Sequence, residues 1–239
     1  MAYIEGFVAA VPAANKDAYR KHVAEAAPLF KEFGVTRMVE TWGDEVPAGQ
    51  VTDFKGAVKA KPDEVIVFSW MEYPSKEVRD AAHPRIMSDL RMKKLGAGMP
   101  FDGQRMIYAG FAPIIDENTG GKTSYVDGSL VAVPAANKAA YREMQARAAA
   151  AIREHGATRV VEAWGDDVPD GKVTDFKGAV KAKGDETVVY AWIEWPSKEV
   201  RNAAWPKLMA DPRLHGDKDK AIFDAQRRVY GGFMPILDT

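Results

Sequence analysis

The chain has 239 residues, 46% hydrophobic and 28% charged, which allows one large domain or two small ones with ordinary cores and argues against disorder. Thirty-three Lys plus Arg stand against 34 Asp plus Glu, a net charge of -1, so no global positive field exists to attract a polyphosphate and no nucleic-acid partner is expected. Cysteine is absent, which removes disulfides, thiolate metal sites and a cysteine nucleophile.

In chain order, Tyr3 to Val11 is rich in β-formers, ends at Pro12 and reads as a strand. Its apolar character stops at Asn15-Lys16-Asp17 with no basic segment before it, so it is too short for a membrane span; a soluble, cytoplasmic protein with no membrane partner is expected. A helix follows, with Asn15 as its cap, the stripe Tyr19, Val23, Ala26, Phe30, Phe33 at helical spacing, and Gly34 at its left-handed end. Pro28 should kink this helix, whereas the later counterpart carries Ala150 and should run straighter. Val35 to Gly43 reads as the second strand, Phe54 to Val58 as a short helix and Val65 to Tyr73 as the third strand. Ser75 caps a second long helix carrying Val78, Ala82, Met87 and Leu90, which Pro84 should bend or restart, and Arg105 opens the last strand, to Ile114.

Sliding the chain by about 122 residues aligns it on itself without a gap, with roughly 65 identities. VPAANK at Val11 to Lys16 recurs at Val133 to Lys138, VTDFKGAVKAK at Val51 to Lys61 recurs at Val173 to Lys183, and PSKEVR at Pro74 to Arg79 recurs at Pro196 to Arg201. The chain therefore divides into unit one, residues 1–116, a polar Gly-containing linker, 117–124, and unit two, 125–239.

Each unit has the β-α-β-β-α-β order of a ferredoxin-like fold, an α+β architecture with helices on one face of a four-stranded antiparallel sheet. Yet the strands are apolar on both faces: Val65, Val67, Ser69, Met71 alternate with Ile66, Phe68, Trp70, Glu72. The second face must be covered, and the corresponding sheet of the other unit is the economical cover. Two tandem ferredoxin-like units packed sheet to sheet, an intrachain pseudo-dimeric α/β barrel, are predicted: a monomer with an internal pseudo-twofold axis, open to higher oligomers.

The segments VPAANKDAYR, MVETWGDEVPAGQVTDFKGAVKAK, EYPSKEVRDAA and MPFDGQRMIYAGF resemble the bacterial YbaA-like family, whose function is unknown and whose members are usually a single unit. The resemblance covers nearly all of Met1 to Asp116 and, more loosely, Tyr125 to Asp238, and it implies the same dimeric α/β-barrel fold. That fold also serves cofactor-independent monooxygenases, heme-degrading enzymes, dye-type peroxidases and plain ligand-binding modules, so it implies no reaction. Some members carry a name referring to signal-recognition-particle RNA, to which the charge balance lends no support.

A symmetric pair of sites must keep its reactive groups in both repeats. Histidine fails this filter: His22, His83, His155 and His215 face Met144, Trp205, Phe33 and Lys93, and only His83, on a helix bent by Pro84, is kept as a candidate. Arg37/Arg159, Glu40/Glu162, Trp42/Trp164, Glu72/Glu194 and Arg105/Arg227 pass, as do Asp44/Asp166, Asp53/Asp175, Lys55/Lys177, Asp102/Asp224 and Tyr108/Tyr230. Glu40 shares a strand face with Trp42, and Glu72 with Trp70. Buried glutamates require partners, so one reading is a set of Arg–Glu pairs that hold the pseudo-dimer together. The other gathers Arg37, Glu40, Glu72 and Arg105 around an apolar pocket between helices and sheet, with an upward-shifted carboxyl as general acid or base. The aromatic residues read more readily as core than as a ligand platform. The expected function is small-molecule binding in such a pocket, up to a cofactor-independent enzyme; the alternatives are a non-catalytic structural or regulatory module and, more weakly, RNA binding. No metal and no cofactor are expected, for no phosphate loop, dinucleotide fingerprint or zinc spacing is present. The segment Met92 to Pro100 has almost nothing in common with Leu214 to Ile222, so unit one is the better candidate to have kept a pocket.

Overall fold

The computed structural model describes residues 2–214 and 222–239. Unit one comprises β1 (Tyr3–Pro12), α1 (Lys16–Glu32), β2 (Arg37–Glu45), α2 (Phe54–Ala57), β3 (Glu64–Tyr73), α3 (Lys76–Ser88), α4 (Leu90–Ala97) and β4 (Ile107–Asn118). Unit two follows with β5 (Tyr125–Pro134), α5 (Lys138–Glu154), β6 (Arg159–Asp167), α6 (Phe176–Ala179), β7 (Glu186–Trp195), α7 (Lys198–Leu208) and β8 (Val229–Asp238). Among the described residues no helix is long and apolar enough to cross a membrane.

The eight strands close into one antiparallel barrel in the order β1-β3-β2-β8-β5-β7-β6-β4. Each unit contributes a four-stranded sheet whose edge strands are its second and fourth. Both edges are paired across units, β2 with β8 and β4 with β6, so no open ladder remains in the barrel. The units are thus joined edge to edge as well as face to face, a tighter union than stacked sheets.

Strand alternation sends one set of side chains into the barrel and the other under the helices. The interior is solid with aromatic rings: Phe68 stacks on Tyr190 at 4.4 Å and Trp70 meets Trp192 at 4.5 Å between centroids. Phe54, Phe111, Phe176 and Phe233 fill the space around them and are fully buried. The rings fit because glycines face them. A Cβ on Gly6 would lie 2.8 Å from the Tyr190 ring, and one on Gly128 would lie 3.0 Å from that of Phe68. The outer set packs under α1, α3 and α4 in unit one and under α5 and α7 in unit two.

Several local expectations need correction. Asn15 takes the N-cap position of α1 but its side chain makes no capping bond there; it donates to the Pro100 carbonyl at 2.8 Å and ties the helix entrance to the loop before β4. Pro28 lies inside α1 without ending it; α1 and its proline-free counterpart α5 both run 17 residues. Pro84 lies within α3, and the break comes later, where Asp89 ends α3 and caps α4 by accepting from the backbone N–H of Arg91 and Met92. Met87 and Leu90 do not face the core, being 67% and 80% exposed: Met87 lies five residues after the buried Ala82 and so on another side of α3, and Leu90 falls beyond the break, in the first turn of α4. Arg105 ends a short 3-10 turn, and β4 starts at Ile107. Finally, Glu117 and Asn118 extend β4 and pair with Val160 and Arg159 on β6, so these two residues of the expected linker belong to the barrel.

Candidate functional site

Glu40 and Glu72 project to opposite faces of the barrel wall and take part in different chemistry. Glu72, next but one to Trp70, points inward at one barrel end, where two arginines cross between units. Arg37 Nη1 and Nη2 donate to the two carboxylate oxygens of Glu194 at 2.8 Å each, and Arg159 Nη1 and Nη2 donate to those of Glu72 at 2.6 and 3.1 Å. Asp238 and Asp116 complete the pattern on Arg37 and Arg159, and Trp70 and Trp192 each donate an indole N–H to the glutamate two residues on. Burial alone would raise the Glu194 carboxyl; the hydrogen bonds and charge of Arg37, with Thr123 and Trp192, hold it below its ordinary value instead. This cluster is saturated: each guanidinium is shared by carboxylates from both units.

Arg105 and Arg227 lie elsewhere. Arg105 grips Glu64 at 2.6 and 2.7 Å and Asp102 at 2.8 Å, and Arg227 repeats this with Glu186 and Asp224. Glu64 and Glu72 stand at opposite ends of β3, about 26 Å apart at a strand's rise. The four groups Arg37, Glu40, Glu72 and Arg105 therefore do not meet in one pocket.

Glu40 and Glu162 face the helices instead, and each borders a cavity. In unit one a cavity of about 180 Å³ lies between α1, α4 and the sheet, walled by Met38, Met71, Met92, Met106 and Phe30, with His22, Tyr19 and Ser69 as its polar groups beside Glu40. Tyr19 Oη donates to Glu40 Oε2 at 2.7 Å, and Ser69 Oγ donates to the same oxygen. Among the described residues the other oxygen, Oε1, receives no hydrogen bond. Burial raises the Glu40 carboxyl to about 7 despite the opposing pull of the Ser69 and Tyr19 hydroxyls, and it also lowers the His22 imidazole. Unit two has a cavity of about 450 Å³ bordered by Glu162, Gln145, Met144, Trp205 and Arg228. There Tyr141 Oη donates to Glu162 Oε2 at 2.8 Å while accepting from Gln145 Nε2 at 3.0 Å, and burial again raises the carboxyl to about 7. Unit one thus has a cavity beside the Met92 to Pro100 segment, where the sequence points to one, and unit two has a larger cavity of its own.

The remaining candidates sit outside both cavities. Trp42 and Trp164 share the outer face with Glu40 and Glu162 but pack against Tyr19 and Tyr141, at 6.3 Å in each unit, as core. His83 is exposed on α3 and borders neither cavity, and His155 ends α5. His215 lies outside the described residues. Among the described residues no group of three or more His, Asp and Glu could hold a metal ion. Tyr19 and Tyr141 are site residues that the repeat filter could have found, since both units keep them. Ser69, Gln145 and Arg228 escaped it because they face Ala191, Val23 and Met106 in the other unit.

The sequence profile of the family described as Protein of unknown function (DUF1428) matches twice, over residues 2–103 and 124–225. The uncharacterised protein YbaA of Escherichia coli K12 is 66% identical over 117 residues, which is 49% of this chain and 100% of that protein; YbaA of Shigella flexneri matches to the same extent. Among solved structures, a provisionally assigned monooxygenase from Fusobacterium nucleatum superposes with a TM-score of 0.62 at 8% identity, covering 99% of this chain and 93% of that one. A second, from Lactobacillus acidophilus NCFM, gives 0.60 at 8% identity and covers 100% and 95%. An anthrone oxidase-like protein gives 0.51 at 9% identity, with 100% and 92% covered. At such identities these likenesses establish the fold alone.

Proposed function

This chain belongs to the DUF1428 family of unknown function, which it carries twice, and we propose that each repeat binds a small, mainly apolar molecule in its helix–sheet cavity, where Glu40 or Glu162 exchanges a proton with it. One observation carries the reading. In both units a buried carboxyl borders a cavity with one oxygen held by a tyrosine hydroxyl and the other, among the described residues, free of hydrogen bonds, and burial raises the carboxyl to about 7. An acid of that strength takes a proton from a bound hydroxyl or acidic carbon and returns it at neutral pH, which is what general acid–base chemistry requires. The tyrosine orients the carboxyl, and the apolar walls keep its affinity high by excluding water. The proton exchange itself calls on the chain's own residues. The fold shared with provisionally assigned monooxygenases and an anthrone oxidase-like protein is compatible with a flat phenolic or enolic substrate.

The Arg–Glu clusters support a different role for Arg37, Glu72, Arg159, Glu194, Arg105 and Arg227. Their hydrogen-bonding capacity is spent within the protein: Arg37 and Arg159 with Glu72 and Glu194 hold the two units in register, while Arg105 and Arg227 each tie the start of a strand to the turn before the last strand of their own unit.

2-Naphthol, a flat weak acid, tests the binding reading by its fluorescence. Wild-type protein is expected to bind it, Leu95→Trp should fill the unit-one cavity, Ala148→Trp should fill that of unit two, and the double variant should bind nothing. No binding to the wild type, or full binding to the folded double variant, would overturn the proposal.

A further inference from the structure

The two cavities have the same floor plan but different electrostatics. Where unit one has Phe7, Val23 and Met106, unit two has Ser129, Gln145 and Arg228. Phe7 stacks on Tyr108 at 6.4 Å and Met106 lines the unit-one cavity, so that edge is apolar. At the same edge in unit two Arg228 is exposed on the cavity rim and, among the described residues, hydrogen-bonds only Ser129, Nη2 to Oγ at 3.5 Å. No carboxylate among the described residues lies within ion-pairing distance of it.

The other charges around this cavity are already matched. Arg201 donates to Asp127 and Glu45, and Arg213 to Asp211 and Glu154. Asp127 also accepts from the indole N–H groups of Trp195 and Trp205. Glu162, the remaining acid in the cavity, keeps its proton below about pH 7 and would not repel an anion there. A guanidinium with no ion pair among the described residues, beside a hydroxyl and on the rim of an aromatic-walled cavity, is a receptor for a carboxylate; its charge already acts from a distance on Glu162.

We infer that the unit-two cavity takes an organic anion, an aromatic carboxylate whose ring lies against Trp205 and Phe223 and whose carboxylate meets Arg228 and Ser129, whereas the unit-one cavity takes neutral apolar molecules. This inference rests on the proposed binding function and adds that duplication has separated the two sites by ligand charge.

Calorimetric titration at pH 6 with 2-naphthoate and its neutral isostere 2-naphthamide tests it. Wild-type protein should prefer the naphthoate by about tenfold or more, the size of one charge-assisted hydrogen bond. Arg228→Met should erase that preference and leave naphthamide affinity unchanged, and Arg228→Lys should keep part of the preference. If Arg228→Met leaves the ratio intact, or weakens both probes equally, the anion assignment is wrong while cavity binding stands. If the wild type binds neither probe, cavity binding fails together with it.

Discussion

Trp70 and Trp192 occupy symmetry-related positions in the two repeats, and their rings meet at 4.5 Å in the middle of the barrel, both almost fully buried. The inner face of each sheet is covered by the other, so neither repeat has a complete core of its own. The protein should therefore unfold in one transition. Trp70→Ala should cost about 3–5 kcal/mol and lower the midpoint of both repeats together. Two separated transitions in a calorimetric scan would contradict the shared core.

Arg37→Met should be more damaging than its partial exposure suggests. It removes the bidentate partner of Glu194, whose side chain is only 3% exposed, and leaves a buried charge poorly matched. A loss of about 3 kcal/mol in urea unfolding is expected, and adding Glu194→Gln should restore part of it. Equal stability of the single and double variants would show that the pair is not coupled.

Gly6→Ala tests the packing of the interior. The added methyl would lie 2.8 Å from the Tyr190 ring, on which Phe68 stacks at 4.4 Å and which Trp192 meets edge-on at 6.1 Å. With no room for the ring to move, a cost of about 1–3 kcal/mol is expected. A neutral result would mean that the interior yields more readily than its contacts imply.

The barrel was legible because it follows from a repeat and from strands apolar on both faces. The division of labour among the charged residues was not. Glu40/Trp42 and Trp70/Glu72 show the same two-residue spacing, and nothing in that spacing says that one pair faces the helices and the other the barrel interior. The filter that retains groups present in both repeats kept Glu40 and Glu162, the carboxyls that border the two cavities. It was blind to Arg228 and Gln145 because they mark where the repeats differ. The exposure of Leu90 depends on Asp89 capping a new helix, which spacing along a single helix conceals.

The carboxyls in the cavities should make stability depend on pH in an unusual sense. Glu40 has a proton affinity of about 7 in the folded chain against its ordinary 4.5, so the folded state holds the proton more tightly than the unfolded one. This contribution is complete below pH 4.5 and is lost as pH rises through 7, on the order of 3 kcal/mol by linkage. Glu40→Gln, which stays neutral, should be more stable than wild type at pH 8.5 and within about 1 kcal/mol of it at pH 4.5. Glu162→Gln should behave likewise. A pH-independent difference in urea unfolding would show that these groups titrate normally.

The most direct test of the account is a carbon-13 NMR titration of the glutamate side-chain carboxyls, with Glu40 and Glu162 assigned by their Gln variants. Two resonances with midpoints near pH 7, both moved by bound 2-naphthol, are predicted. Midpoints near 4.5, or titrations indifferent to the probe, would contradict the claim that these carboxyls are the working groups of two ligand cavities.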